Sequence, residues 1–171
     1  MNKFLRMTSL AATVAAVAMT ATPALAVGPS NQNAKAWARI VKPLSLVSVR
    51  DLDLGTILLS GAGSWSGAVV GIDKTGGWNC TNANVTCSNA HQTAQYTITG
   101  TNNQDVKITA GNVTLTEPVS STNLTLTVDN PGTVNLGATG VKTFDLGGSI
   151  MVASNTPDGT YSGTFNVTVD Y

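Results

Sequence analysis

The sequence predicts an all-β protein, an antiparallel two-sheet β-sandwich, and three observations predict it. Apolar residues recur at every second position in short runs, a period that gives a strand one inward face and that no helix would sort. Turn-forming clusters such as Asp129-Asn-Pro-Gly132 and Asn155-Thr-Pro-Asp-Gly159 separate those runs. No helical period follows residue 26. Roughly eight to ten short strands result, a number that suits two packed sheets of immunoglobulin-like size.

The clearest run is the last. Along Gly159–Tyr171, the residues Tyr161, Gly163, Phe165, Val167, Val169 and Tyr171 fall on one face, and Ser162, Thr164, Asn166, Thr168 and Asp170 on the other. Rich in Thr, Val and aromatic residues, the run predicts a terminal strand docked on a larger sheet by its apolar face. A chain end this apolar must be tied down, or it would fray.

The N-terminus reads differently. Lys3 and Arg6 precede an Ala-rich apolar run, and Ala24-Leu25-Ala26 supplies small residues before a cleavage point, so residues 1–26 are expected to be a cleaved signal peptide. The apolar run is too short for a good membrane span. Export to the periplasm, cell surface or an extracellular fimbria follows, with no membrane span left after cleavage. Removing the signal takes two of nine basic residues and none of nine acidic ones, leaving seven against nine. That balance is no footprint for nucleic acid or an anionic membrane surface. Sparse charge with abundant Thr, Asn, Gly and Ser suits an exported β protein whose outer faces are neutral and polar.

Cys80 and Cys87 are the only cysteines. In an oxidising compartment a local disulfide is the default, contributing roughly 2–3 kcal/mol by the chain-entropy estimate. A metal site is not expected, because His91 is the sole histidine nearby. The bridge is expected to pin an irregular loop, Gly76–Ala90, onto the sheet.

Taken in order, residues 27–36 form a flexible leader, and the domain proper spans 37–171. Ala34, Ala36, Ala38 and Ile40, then Leu44 and Leu46, predict a long strand over 34–49 that bends at Pro43, where a missing amide donor needs an edge. Leu52, Leu54 and Ile57 aim inward around a kink at Gly55. After a turn at Gly61–Gly63, a strand over Trp65–Ile72 leads to the cysteine loop. Gln92–Thr99 and Asp105–Thr109 are expected to pair as a hairpin through Thr101–Gln104. Val113 and Leu115, then Leu124, Leu126 and Val128, mark two more strands, and Val134 and Leu136 a short piece. Thr143–Ala153 follows, its Gly147-Gly148 pair predicting a bulge or a close backbone approach.

These pieces carry a resemblance. With Ala38-Arg-Ile-Val-Lys-Pro-Leu44, Asp51-Leu-Asp-Leu-Gly-Thr-Ile57, Phe144-Asp-Leu-Gly-Gly-Ser-Ile150 and Pro157–Tyr171, the chain resembles bacterial secreted surface proteins of the domain of unknown function 4402 (DUF4402) family. More distantly it is similar to pilin subunits of chaperone-usher fimbriae and to the spore-coat U group. The resemblance implies a pilin-like sandwich at the cell surface, structural or adhesive, with related subunits, a periplasmic chaperone and an usher as partners. In such pilins a neighbour's N-terminal extension fills a groove by strand addition. By that resemblance Tyr161–Tyr171 is the assembly strand, and Ala34, Ala36, Ala38 and Ile40 are the candidate donor segment.

Other candidates are weighed against plainer roles. Asp51 and Asp53 share one strand face, but calcium wants about 6–8 oxygens, so they read as solvent-facing acids. Trp65 suits the core, whereas Trp78, in the loop beside Cys80, is a candidate adhesive aromatic that could stack on a sugar ring. His91 reads as a surface residue without a nucleophile at recognisable spacing. Neither catalysis nor a cofactor is expected. Two further classes stay in view: a small outer-membrane β-barrel, whose last strand also ends on an aromatic, and a self-complete secreted sandwich acting as a binding module.

Overall fold

The computed structural model describes residues 32–61 and 63–171. The expected signal peptide and residues 27–31 of the leader lie outside the described residues. The chain divides into two units, one ending at Ala38 and one covering Arg39–Tyr171. In the first, residues 32–38 carry no secondary structure and are exposed. The second is all-β.

Its strands are β1 (Ser45–Arg50), β2 (Ile57–Leu59), β3 (Ala68–Ile72), β4 (Trp78–Asn79), β5 (Val85–Cys87), β6 (Ala94–Thr99), β7 (Asp105–Ala110), β8 (Val113–Thr116), β9 (Asn123–Asp129), β10 (Thr133–Asn135), β11 (Val141–Val152) and β12 (Val167–Asp170). All their pairings are antiparallel. The largest sheet runs β1-β6-β11-β3-β4, with β9 joined to β11 and β8 to β9; β10-β7-β12 form a second, and β2-β5 a third.

The organiser is β11. Its first half, Val141–Leu146, pairs with β6, while Gly148 and Ser149 pair with β3 on one side and β9 on the other. One strand therefore serves two cores. Phe144 and Leu146 join Ile98, Ala94, Val106, Ile108 and Leu136 in the first, and Ile150 and Val152 join Ala68, Val70, Val85 and Leu126 in the second. Alternating apolar residues occupy those interiors, which is the hydrophobic effect acting on a period of two. The glycine pair sits where the strands crowd: a Cβ on Gly147 would come within 2.3 Å of the Ile72 carbonyl oxygen, and one on Gly148 within 2.9 Å of Leu126 and Leu52. Close backbone approach is thus the reason for Gly147, and packed leucine side chains the reason for Gly148.

Three sequence-based expectations need correction. The long strand over 34–49 is a strand only over Ser45–Arg50, because its N-terminal part finds no partner strand among the described residues; Ile40 is 92% exposed. The expected hairpin of β6 with β7 does not form. Residues 100–104 instead carry the chain from one sheet to the other, held by Gly100 N–H to the Gly140 carbonyl (2.8 Å) and Asn103 N–H to the Gly137 carbonyl (2.7 Å). Ile98 and Ile108 then pack in one core from opposite sheets instead of lying side by side. Finally, the loop 76–90 is not wholly irregular. It contains β4 and β5, which pair with β3 and β2, and the Cys80–Cys87 disulfide ties the two short strands together.

Candidate functional site

The C-terminal run begins at a built turn. The Ala153 N–H donates to the Thr156 hydroxyl (2.9 Å) and the Tyr161 hydroxyl donates to the Pro157 carbonyl (2.9 Å). Gly159, at φ 149°, lies against the Glu117 side chain, where a Cβ would meet Cγ at 2.3 Å. Glu117 is buried, and its carboxylate accepts the backbone N–H groups of Ser120 and Val119, which hold its carboxyl below the usual range. Burial, helped by Glu117 and Asp158, pushes the Tyr161 phenol up.

From that turn the chain runs back along β8 and β7. Ser162 and Thr116 exchange both backbone hydrogen bonds (2.9 and 3.2 Å), and Val167 to Asp170 pair with Ala110 to Lys107. The two registers are one residue out of step, so the ladder lapses between Ser162 and Val167, opposite residues 111–115. Hence the sequence predicts one strand over Gly159–Tyr171, and the structure holds a single bridge followed by a four-residue strand. The alternation survives the lapse: Tyr161, Phe165, Val167 and Val169 are half-buried, and Ser162, Thr164, Asn166, Thr168 and Asp170 exposed. Gly163 is exposed, yet its backbone comes so close to β8 that a Cβ would lie 2.5 Å from the Thr114 carbonyl oxygen.

Half-burial is the feature that matters. Phe165, Val167 and Val169 pack against the first core, and Phe165 also touches the second, but none is fully covered, whereas Ile98 and Leu146 in the same core are at 0%. The reason is the pairing. β12 pairs only with β7, and no described strand pairs with its other edge. β1 is likewise an edge, paired only with β6, and its Leu46, with Leu44 just before it, is half-buried against the same core. Two unpaired strand edges therefore border one incompletely covered core.

Tyr171 ties the two at one end. Its hydroxyl donates to the Lys42 carbonyl (2.6 Å) and accepts the Thr101 N–H (2.8 Å), reaching over Gly100, where a Cβ would come within 2.6 Å of that oxygen. The terminal aromatic thus holds the segment leading into β1. Periodicity marks its position but gives no sign of that hydroxyl bridge.

Of the remaining candidates, Trp78 is half-buried and one ring face is covered by His91, with centroids 4.0 Å apart and planes 3° from parallel. His91 is therefore not the plain surface residue expected, and its Nδ1 has no hydrogen-bond partner. Trp65 packs against the second core, as expected. Asp51 and Asp53 are exposed, and Asp53 accepts the Gly55 N–H (2.8 Å) as a turn-forming acid. Among the described residues, no group of three His, Cys, Asp or Glu side chains is placed to hold a metal ion. Ala34, Ala36, Ala38 and Ile40 are all exposed, as is Trp37, at 88%.

The profile of one family, described as a domain of unknown function (DUF4402), matches residues 44–171. The chain belongs to the DUF4402 family. The match begins at Leu44, so β1 to β12 are the family's domain and the exposed segment before Leu44 stands outside it. No curated protein and no solved structure matches the chain.

Proposed function

We propose that this DUF4402 protein is a non-enzymatic structural or adhesive subunit of the bacterial cell surface, pilin-like in assembly, whose open edge is completed by a β-strand from a partner. The observation that carries the reading is the state of β12: one edge unpaired and its inward residues Phe165, Val167 and Val169 half-covered. An added strand would pair the free backbone groups and bury those side chains, a strand-addition mode in which main-chain bonds give affinity and alternate side chains give specificity. Before export is complete, the same edge suits a periplasmic chaperone, with an usher handing the subunit to the fibre. The absence of an enzymatic step in this reading rests on chemistry: the only histidine stacks on Trp78 instead of facing a nucleophile. The barrel alternative finds no support in strands divided among three sheets around apolar interiors, and the self-complete sandwich none in a terminal strand with a free edge.

The test is hydrogen exchange on exported protein purified without boiling, with a monomeric fraction as reference. In the monomer the β12 amides should exchange far faster than those of β11, and in any SDS-resistant oligomer or chaperone complex they should become protected. A lone monomer whose β12 is as protected as β11 would overturn the reading.

A further inference from the structure

β11 has a second face. Ile150 and Val152 point into a core, so Ser149 and Met151 point outward, with Val69 of β3 and Thr125 and Thr127 of β9 on either side. A trough of about 650 Å³ lies over these residues, and a second of about 400 Å³, sharing Val69, Thr127 and Ser149, continues it towards Asp73 and Asp129. Both volumes fall in the range of roughly 300–1,000 Å³ typical of small-ligand sites. Gly71 keeps the floor low, since a Cβ there would come within 2.5 Å of the Ser149 Cβ. None of the described residues lining the larger trough is charged. In the smaller one, Asp129 is taken up by the Lys74 amide (3.0 Å) and ammonium (2.8 Å), and Asp73 by the amides and hydroxyl of its own turn. The hydroxyls are the groups left over. Ser66, Thr125, Thr127 and Ser149 make no side-chain hydrogen bond to any described residue, whereas elsewhere outward hydroxyls pair across strands, Thr97 with Thr143 (3.1 Å) and Thr116 with Asn123 (2.8 Å).

We propose that this trough binds a neutral oligosaccharide, through the free hydroxyls of Thr125, Thr127 and Ser149 and the apolar pair Val69 and Met151. Each hydroxyl both donates and accepts, which matches the donor and acceptor character of a sugar hydroxyl. Val69 and Met151 stand opposite each other across β3 and β11, 39% and 62% exposed, and offer an aliphatic strip to the C–H face of a pyranose ring. A charged ligand finds no counter-charge in the larger trough. An extended peptide is disfavoured by the backbone, because Gly148 and Ser149 are paired on both sides, to β3 and to β9, and leave no free strand edge at that part of the floor. The site rests on the adhesive side of the proposed function and not on strand addition, since none of these residues lies in β7, β12 or the segment before β1. Weak contacts of this kind gain avidity when many copies stand on one surface.

The experiment applies the exported full chain to an array of neutral hexose and N-acetylhexosamine oligosaccharides, with sialylated and sulfated glycans alongside, and titrates the retained glycans against monomer in solution. Neutral oligosaccharides should be retained, and T125V/T127V, which deletes two hydroxyls at nearly constant shape, should bind roughly tenfold or more weakly. Valine keeps the branched Cβ that a strand favours, so the variant should keep the parent melt, which separates lost contacts from misfolding. T97V/T143V, in a hydroxyl pair outside the trough, should bind like the parent. Retention untouched by T125V/T127V would overturn this site, and a preference for the acidic glycans would overturn a neutral ligand. Retention of no glycan, or amide shifts at Thr127 and Ser149 produced only by a peptide, would overturn the oligosaccharide. Exchange at β12 is the independent readout: glycan binding by a monomer with a fully protected β12 would overturn strand addition and leave this site standing, and an open β12 without glycan binding would do the reverse.

Discussion

β11 and the C-terminal run are built from similar residues and end in different states. Both alternate apolar with polar residues and contain close-packed glycines, yet β11 is joined along its length to β6, β3 and β9 and buries Leu146 completely, while β12 is joined to β7 alone and leaves Val167 and Val169 half-covered. The difference teaches that alternation decides which face turns inward, whereas a strand's place in the sheets, central or terminal, decides how far that face is removed from water. A strand with one free edge is stable enough to be placed and exposed enough to be bound.

The sharpest way to break this comparison is truncation in each strand. Leu146→Ala should cost about 2–5 kcal/mol, the range for a fully buried leucine, whereas Val167→Ala in the monomer should cost well under half as much, both read from urea midpoints. Equal losses would mean that β12 is as covered as β11. In an assembled form the Val167 penalty should grow, because the added strand completes its burial.

Glycine substitution sharpens the same contrast. Gly147→Ala forces a methyl into the Ile72 carbonyl and the backbone at Asp73, held between strands, and should cost about 1–3 kcal/mol. Gly163→Ala meets the Thr114 carbonyl at a similar distance, but its segment borders open space and can shift outward, so the loss should be smaller. Thermal melts of the two variants decide it, and a larger loss at Gly163 would mark the C-terminal run as the more rigid of the two.

The far end of the run is held by Tyr171. Tyr171→Phe removes one hydrogen bond to the Lys42 carbonyl and one from the Thr101 N–H at constant ring packing, and should cost about 1 kcal/mol. Faster exchange at the Thr101 amide, with β11 amides unchanged, is the expected signature. Unchanged exchange at Thr101 would mean that the hydroxyl does not anchor the segment leading into β1.

The smallest effect belongs to the start of the run. Glu117 has its folded-state carboxyl held low, so the stability it contributes is present above its ordinary unfolded value, about 4.3, and is lost as pH falls through the lowered folded value. Glu117→Gln should remove that part of the acid dependence while altering the neutral-pH melt little more than its own substitution cost. β11 contains no such group buried under a loop, so acid should loosen the Ser162–Thr116 bridge before it loosens β11. Simultaneous loss of both by amide exchange would contradict this.

Much of the architecture was legible in the residues. Alternation marked the inward faces of β8, β9 and the C-terminal run and placed strands at β6, β7 and β11, and the expectation of export made Cys80–Cys87 the natural bridge. Gly147-Gly148 announced a crowded backbone. Part of the candidate site was legible as well: the apolar face of Tyr161–Tyr171. Pairing was not legible. Period two says nothing about which strand lies next to which, so β6 and β7 read as a hairpin until Gly100 and Asn103, bonded to Gly140 and Gly137, were seen to carry the chain across to the other sheet.

The sequence by itself therefore determined the strand class, the inward faces and the disulfide, because these depend on local stereochemistry, hydrophobic period and thiol chemistry. Only the tertiary structure decided that β1 and β12 are edges, that residues 39–43 form no strand, and that Tyr171 bridges to Lys42. Those outcomes rest on which distant segments find each other. That is settled by packing around two shared cores, where β11 takes the central place and β12 is left with one side open.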